Sequence, residues 1–328
     1  MDALSDVLRV AHLTGGVFLH AEFFAPWCTR THVSPTRCAP VLGPASHLIV
    51  YHYIVEGELR VRVERAQGDD VVVQRGELVL LPHNDAHVMG SDLSLPAVPG
   101  GPMIQPSEDG GLSSIRHGGT GRLTRMVCGF LGCASESDNP VLSILPPLLK
   151  LTVGDTGAAD WIRTTFQFAA EEIASGRPGS EAVMAKLSEL LFVQAVRRYA
   201  ECLPEDQTGW LAGLREPHVA RALALLHNDI AHPWTVDDLG RAVGLSRSVL
   251  AERFSRFIGM PPMQYLARWR MQIAAQTLKT TASSLAEVAT ATGYDSEAAF
   301  SRAFKRAFGE SPGTWRRLIT ALALARDR

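Results

Sequence analysis

Residues 284–308 read SLAEVATATGYDSEAAFSRAFKRAF, two short amphipathic segments with Gly293 between them. About fifty residues upstream, residues 235–257 (TVDDLGRAVGLSRSVLAERFSRF) repeat that layout. In the first copy Thr235 is placed to cap a helix, and the acidic pair Asp237 and Asp238 suits the positive end of its dipole. Val236, Leu239 and Val243 fall on one face, Gly244 can take the left-handed conformation that ends the helix, and Leu245 tucks the turn down. Ser246 caps the next segment, which offers Leu250, Phe254 and Phe257 to a core. In the second copy Ser284 caps, Leu285, Val288 and Ala289 face inward, Gly293 ends the helix and Tyr294 plugs the turn. Asp295 or Ser296 then caps a segment that buries Ala299, Phe300, Phe304 and Phe308. Two short helices about a Gly-containing turn are the sequence form of a helix-turn-helix, so the chain is expected to carry two.

The second helix of such a unit enters a major groove with its N-terminal end first. Subtracting the buried positions leaves Arg247, Ser248, Ala251, Glu252 and Ser255 on the first copy. On the second it leaves Ser296, Glu297, Ala298, Ser301, Arg302, Lys305 and Arg306. Arginine pairs with guanine through two hydrogen bonds and glutamate accepts from cytosine. Arg253, Arg256, Lys305 and Arg306 suit phosphates, which fix register without reading sequence. The charge distribution agrees. The chain of 328 residues has a net charge of −2, yet residues 214–328 hold sixteen Lys and Arg against ten Asp and Glu, leaving −8 on the rest. A basic C-terminal third on an acidic remainder fits a nucleic-acid module joined to something else.

Working outward, residues 45–90 alternate as strands do. HLIVYHYIVEGELRVRVER has two β-branched runs about Glu56–Gly57–Glu58, and DDVVVQRGELVLLPHNDAHVM repeats the pattern about Gly76. A series of antiparallel hairpins, closed as a small barrel or a sandwich, is expected. Residues 92–121 are rich in Gly, Pro and Ser and read as a flexible insertion. RLTRMVCGFLG (122–132) returns to the same sheet. Residues 158–175 and 180–202 read as amphipathic helices, the second with Val183, Leu187, Leu190, Leu191, Val193 and Val196 on one side, and residues 204–209 as a polar boundary. The fold class is therefore multidomain, an N-terminal all-β domain joined by a helical linker to a C-terminal all-α domain. Five cysteines with no CxxC spacing argue against a structural zinc or a disulfide framework. There is no apolar run of membrane-spanning length, and no basic leader precedes an apolar stretch, so a cytoplasmic protein that does not enter membranes is expected.

The C-terminal third resembles the DNA-binding domain of the AraC/XylS transcription regulators. Between the two units lies a form of that family's linking helix, carried by Gly259, Pro262, Tyr265, Leu266, Arg270, Met271, Ala275 and Leu278. The closing signature is carried by Phe300, Phe304, Lys305, Phe308, Gly309, Ser311, Pro312 and Trp315. The resemblance implies two rigidly joined helix-turn-helix units (235–257 and 284–308, within 214–328) reading successive major grooves. GELVLLPHNDAH and YHYIVEGEL resemble the two cupin motifs, which implies a cupin-like effector-sensing barrel over residues 1–150. Residues 151–209 resemble the family's linker and dimerisation region.

His52 and His87 stand where cupin metal ligands stand, with Glu56 and His83 near. Two imidazoles and a carboxylate suit Zn, Fe or Mn. The usual first motif is HxH, and Val50 occupies its earlier position, so the set is one ligand short. The same residues equally suit an organic effector pocket. A third reading gives the sensing to Cys28 and Cys38, whose thiols Arg30, His32 and Arg37 would activate toward oxidants or electrophiles. A metal-dependent cupin enzyme would need the full ligand set and would leave the C-terminal third without a role, so no enzyme is expected. The partners expected are double-stranded promoter DNA, a small-molecule effector, a second copy of the chain and RNA polymerase.

Overall fold

The alternation in residues 47–90 folds into two sheets rather than a run of hairpins. The computed structural model describes residues 2–10, 13–34, 47–66, 68–105, 113–133, 141–152, 164, 168, 180–204 and 206–326. They form two compact units, Ala11–Tyr199 and a second made of Met1–Val10 with Ala200–Arg328. No helix among the described residues is long and apolar enough to cross a membrane.

In the first unit the strands are β1 (Thr14–Phe24), β2 (Cys28–Thr31), β3 (His47–Glu56), β4 (Glu58–Val63), β5 (Val71–Gln74), β6 (Glu77–Leu81), β7 (His87–Gly90), β8 (Val98–Pro99), β9 (Ser113–Gly118), β10 (Leu123–Cys133) and β11 (Leu149–Thr152). One sheet has the order β11-β6-β3-β10-β1-β9 and the other β5-β4-β7-β2-β8. The sheets do not close into a barrel, and the cupin-like barrel expected from the sequence is a two-sheet β-structure. Only β4 and β5 of the expected hairpins pair with each other. At Gly57 and Gly76 the chain instead crosses from one sheet to the other. Both residues have positive φ, +79° and +81°, and a Cβ on Gly57 would lie 2.4 Å from the Leu123 carbonyl oxygen. Only glycine turns that corner without strain. Part of the expected insertion is also regular: β9 pairs in parallel with β1, and β8 with β2, while residues 106–112 lie outside the described residues.

Alternate residues of facing strands fill the core. Ala21 and Phe23 of β1, Val50 and Ile54 of β3, Leu59, Val61 and Val63 of β4, Val79 and Leu81 of β6, Met89 of β7, and Met126 of β10 form one cluster with Trp27. Both faces of β3 are buried, which explains its unbroken apolar run. On its second face the Tyr51 hydroxyl meets the Ser188 hydroxyl at 3.3 Å, in helix α2 (Ser180–Cys202). The face of α2 that is buried runs through Ser188, Leu191, Phe192, Ala195 and Val196. Val183 and Leu190, expected on the buried side, are exposed. The helix expected at 158–175 lies outside the described residues, apart from Thr164 and Phe168.

The second unit contains α1 (Ala3–Val10), α3 (Trp210–Gly213), α4 (Pro217–Asn228), α5 (Val236–Val243), α6 (Arg247–Ile258), α7 (Pro262–Thr280), α8 (Leu285–Ala291), α9 (Glu297–Phe308) and α10 (Pro312–Arg326). The first helix of the chain thus folds with the last third, which the sequence reading had not anticipated. Ala3, Asp6 and Val7 of α1 are buried. α7 is 19 residues long, about 28 Å at helical rise. Its N-terminal half packs on the first helix pair, with Phe254 edge-on to Tyr265. Its C-terminal half supplies Met271, Ala274 and Leu278 to a core with Val288, Ala289, Phe300 and Phe304.

Candidate nucleic-acid interface and sensor core

The caps form as the residues foretell. Thr235 accepts from the Asp238 amide and Ser246 from the Val249 amide. Ser284 and Glu287 form a full capping box, and of the two candidates it is Ser296 that caps α9, accepting from Ala299. Each such cap is worth about 1 kcal/mol. Gly244 has φ +77° and Gly293 +74°. The two pairs differ in their turns. Gly244-Leu245-Ser246 has one residue fewer than Gly293-Tyr294-Asp295-Ser296, and from the Ser caps onward the copies keep the same register.

With Leu250 and Phe254 buried, α6 presents Arg247, Ser248, Glu252 and Arg256 to solvent, and Ala251 and Ser255 at its half-buried margin. With Phe300 and Phe304 buried, α9 presents Glu297, Ala298, Arg302, Lys305 and Arg306, with Ser301 at the margin and the Ser296 cap exposed. These thirteen sequence-derived candidates, and Arg253 with them, therefore lie off the core. Their partners are unequal. On α6, Arg247 pairs with Asp237 at 3.4 Å and Arg253 with Glu216 at 3.0 Å. Among the described residues, Arg302, Lys305 and Arg306 make no ion pair. Val249, which is not among the sequence-derived candidates, is 38% exposed on α6.

A residue outside either reading helix joins the two pairs. Arg270 on α7 donates from Nε to the Ile230 carbonyl at 2.8 Å and from its terminal nitrogen to the His232 carbonyl at 2.9 Å, with its guanidinium 6.0 Å from the Tyr294 ring centroid. It ties the loop before α5 to the turn before α9. Below it, Tyr265 is held between Trp210 Nε1 at 2.9 Å and His227 Nε2 at 2.8 Å.

In the sensor unit the four expected pocket residues separate. His52 and His87 are buried with their Nε2 atoms 3.2 Å apart. Glu56 lies outside, half exposed and paired with Arg125 at 2.8 Å. His83 Nε2 donates to the Leu145 carbonyl at 2.9 Å. Two imidazole nitrogens fall short of the usual three or four ligands, and among the described residues no group of three or more His, Cys, Asp or Glu is arranged to hold an ion. The third member of the cluster is instead Cys128, the cross-strand partner of His52, with Sγ 2.9 Å from His52 Nδ1.

The protons in this cluster follow from its partners. The Asp85 carbonyl 3.0 Å from His87 Nδ1 can only accept, so that nitrogen carries a hydrogen. Burial drives both imidazoles below their ordinary range, and each is neutral. His87 Nε2 is then bare and accepts from His52 Nε2–H, and His52 Nδ1 accepts from the Cys128 thiol. Burial pushes that thiol far up, so it stays protonated.

Cys28 also departs from expectation. It is buried, and burial together with Asp92 raises its pKa, where an activated thiol needs a lowered one. The Arg30 guanidinium turns away to Glu64, at 2.5 and 2.7 Å. Cys38, with Arg37, lies outside the described residues. Trp27 stacks on Phe23 with centroids 4.1 Å apart, and its buried indole N–H has no partner among the described residues.

A cupin family matches residues 2–201 and a helix-turn-helix domain family residues 239–318. A putative AraC-like transcription regulator of Streptomyces antibioticus is 32% identical, over 97% of this chain and 99% of its own. The regulator AlkR of Acinetobacter baylyi is 29% identical, over 96% and 99%. A crystallised transcriptional regulator with an AraC-type DNA-binding domain, from Chromobacterium violaceum, is 28% identical over 32% of this chain and 94% of its own, with a TM-score of 0.31. The chain is thus a two-part regulator, a cupin domain joined to a DNA-binding helix-turn-helix domain. It belongs to the AraC-like transcription regulators.

Proposed function

We propose that the chain binds promoter DNA in the cytoplasm through α6 and α9, set in successive major grooves, and that a small molecule bound within the β-unit shifts the population of its DNA-binding state. The observation that carries this reading is the matched pair of capped helices. Each buries two apolar residues and turns its polar face outward, and the two are joined by a helix whose length approaches the roughly 34 Å between successive grooves. Sensing is supported by the interior of the β-unit, where the Trp27 N–H, without a partner among the described residues, lies in a mostly apolar core. A ligand with an apolar body and a hydrogen-bond acceptor suits such a lining. A second copy, associating through the helical region 151–209, and RNA polymerase complete the proposed assembly. No reaction is assigned to the chain.

The test is fluorescence anisotropy of the full chain on duplexes from upstream of its own and neighbouring genes, across a salt series and against scrambled DNA. Sequence-selective binding with a steep salt slope is the expected result. Equal binding to scrambled duplexes, followed by failure to select any motif from a random library, would overturn it.

A further inference from the structure

The two reading helices share one register from their Ser caps, so each exposed position on α6 has a counterpart on α9. Glu252 corresponds to Arg302, Val249 to Ala299, Arg247 to Glu297 and Arg253 to Ala303. Both Glu252 and Arg302 are exposed, in the middle of their helices and away from Leu250/Phe254 and Phe300/Phe304. At this matched position the chemistry is opposite. A carboxylate only accepts, and the base edge in the major groove that offers a donor without a neighbouring acceptor is cytosine N4. A guanidinium only donates, and guanine O6 and N7 accept from it together. Val249 adds an exposed apolar surface one turn before Arg253, and the apolar feature of the major groove is the thymine methyl. Ala299, its counterpart, is half-buried and too small to reach as far.

The cations differ in the same sense. Two of the three α6 arginines, Arg247 and Arg253, are held by Asp237 and Glu216, and Glu216 is itself fixed as the cap of α4, accepting from the Val219 amide at 2.6 Å, while Arg256, the counterpart of Arg306, has no acidic partner among the described residues. A cation already beside a carboxylate releases fewer counterions when it meets a phosphate. Arg302, Lys305 and Arg306 of α9 have no such neighbour among the described residues, and Lys305 and Arg306, set on phosphates, contribute their full share to salt-dependent binding.

We infer that the two units are unequal, with α9 anchoring the chain through Lys305, Arg306 and an Arg302–guanine contact, and α6 discriminating through Glu252 on cytosine and Val249 on a thymine methyl. The operator then consists of two unlike half-sites about one helical turn apart, not a direct repeat. This rests on the DNA-binding reading above and adds the division of work between the units.

The experiment is selection from a random duplex library with the full chain and with the Glu252→Ala, Val249→Ala, Arg253→Ala, Arg302→Ala and Lys305→Ala variants, followed by salt titrations on the selected site. The parent is expected to select two unlike half-sites. Glu252→Ala should relax the preference at a cytosine in one half-site only, with a loss on the order of tenfold on the selected site and a gain on random duplex, since a negative charge has gone. Val249→Ala should relax an adjacent thymine. Arg302→Ala should relax a guanine in the other half-site, and Lys305→Ala should lower the salt slope by about 1, with Arg253→Ala lowering it by clearly less. A direct repeat from the parent would overturn the inference while leaving DNA reading intact. So would a uniform loss across all sequences from Glu252→Ala, or equal slope losses from Arg253→Ala and Lys305→Ala. Failure of the parent to select any motif would instead remove the DNA-binding reading, and this inference with it.

Discussion

Arg270 reaches from the loop before α5 to the turn before α9. Two backbone carbonyls accept from its guanidinium, and burial lowers its pKa somewhat without threatening its charge. Lysine in its place keeps the charge and loses the fork that reaches both carbonyls. Arg270→Lys is expected to cost about 2 kcal/mol, and to weaken DNA binding further because the spacing of the readers is loosened. Urea unfolding and anisotropy on one preparation would show both effects. His227 sets a pH dependence in the same unit. Burial drives its imidazole to about 4, with Asp2 pulling weakly upward. The unfolded chain, at the ordinary 6.5, takes up the proton first as pH falls. Stability is therefore fully present above about pH 6.5 and is lost on the way down to 4, by about 2 kcal/mol between pH 7 and pH 5. Hydrogen exchange of α4 and α7 amides should show that loss in the parent and little of it in His227→Gln. Arg270 and His227 were not singled out as functional by their residue types, because their partners lie about forty residues away in sequence. By contrast, the Thr235, Ser246 and Ser284 caps were legible, since each partner lies three residues along.

At the scale of elements, the two turns look alike in sequence and differ in space. A Cβ at Gly244 meets nothing within 4 Å, whereas at Gly293 it would lie 2.7 Å from the Ala231 carbonyl oxygen. Gly244→Ala therefore faces only the strain of positive φ, about 1 kcal/mol. Gly293→Ala adds a backbone collision with the first helix pair and is expected to cost at least about 2 kcal/mol more. Paired unfolding curves of the two variants test the difference, and equal costs would show that the second turn is not pressed against residue 231. The strands give the same lesson. Alternation identifies β3, β4, β5, β6, β7 and β10, but it points to hairpin turns at Gly57 and Gly76, where the chain changes sheets. A glycine turn looks the same in sequence whether the chain pairs back on itself or passes to a facing sheet. The choice lay with β10, which takes the place beside β3 that a hairpin would have given to β4.

On the scale of the whole molecule, the chain does not divide where its composition changes. Residues 3–10 fold with the helix-turn-helix unit, where Ala3 and Val7 are wholly buried and Asp6 lies 3.7 Å from His227. Removal of residues 2–10 is expected to lower the stability of that unit by about 2–4 kcal/mol from the two lost apolar side chains and the exposed surface beneath them. Exchange protection in β3 and β10 should be unaffected. Two-step urea unfolding, followed by exchange, would check both.

The sequence by itself determined the doubled helix-turn-helix, its caps, its linking helix and its outward-facing residues. Those features are built from contacts within one or two turns of helix, so the local pattern contains both partners. The tertiary structure alone decided that His52 pairs with His87 and Cys128 rather than with Glu56 and His83. It also decided that Cys28 is a buried, protonated thiol, that Arg247 and Arg253 are held by acids while Arg302, Lys305 and Arg306 stand free, and that the first helix belongs with the last. In each of these the partner is brought in from a different strand or helix. Burial and distance, which set proton positions and free charge, exist only once the chain has folded.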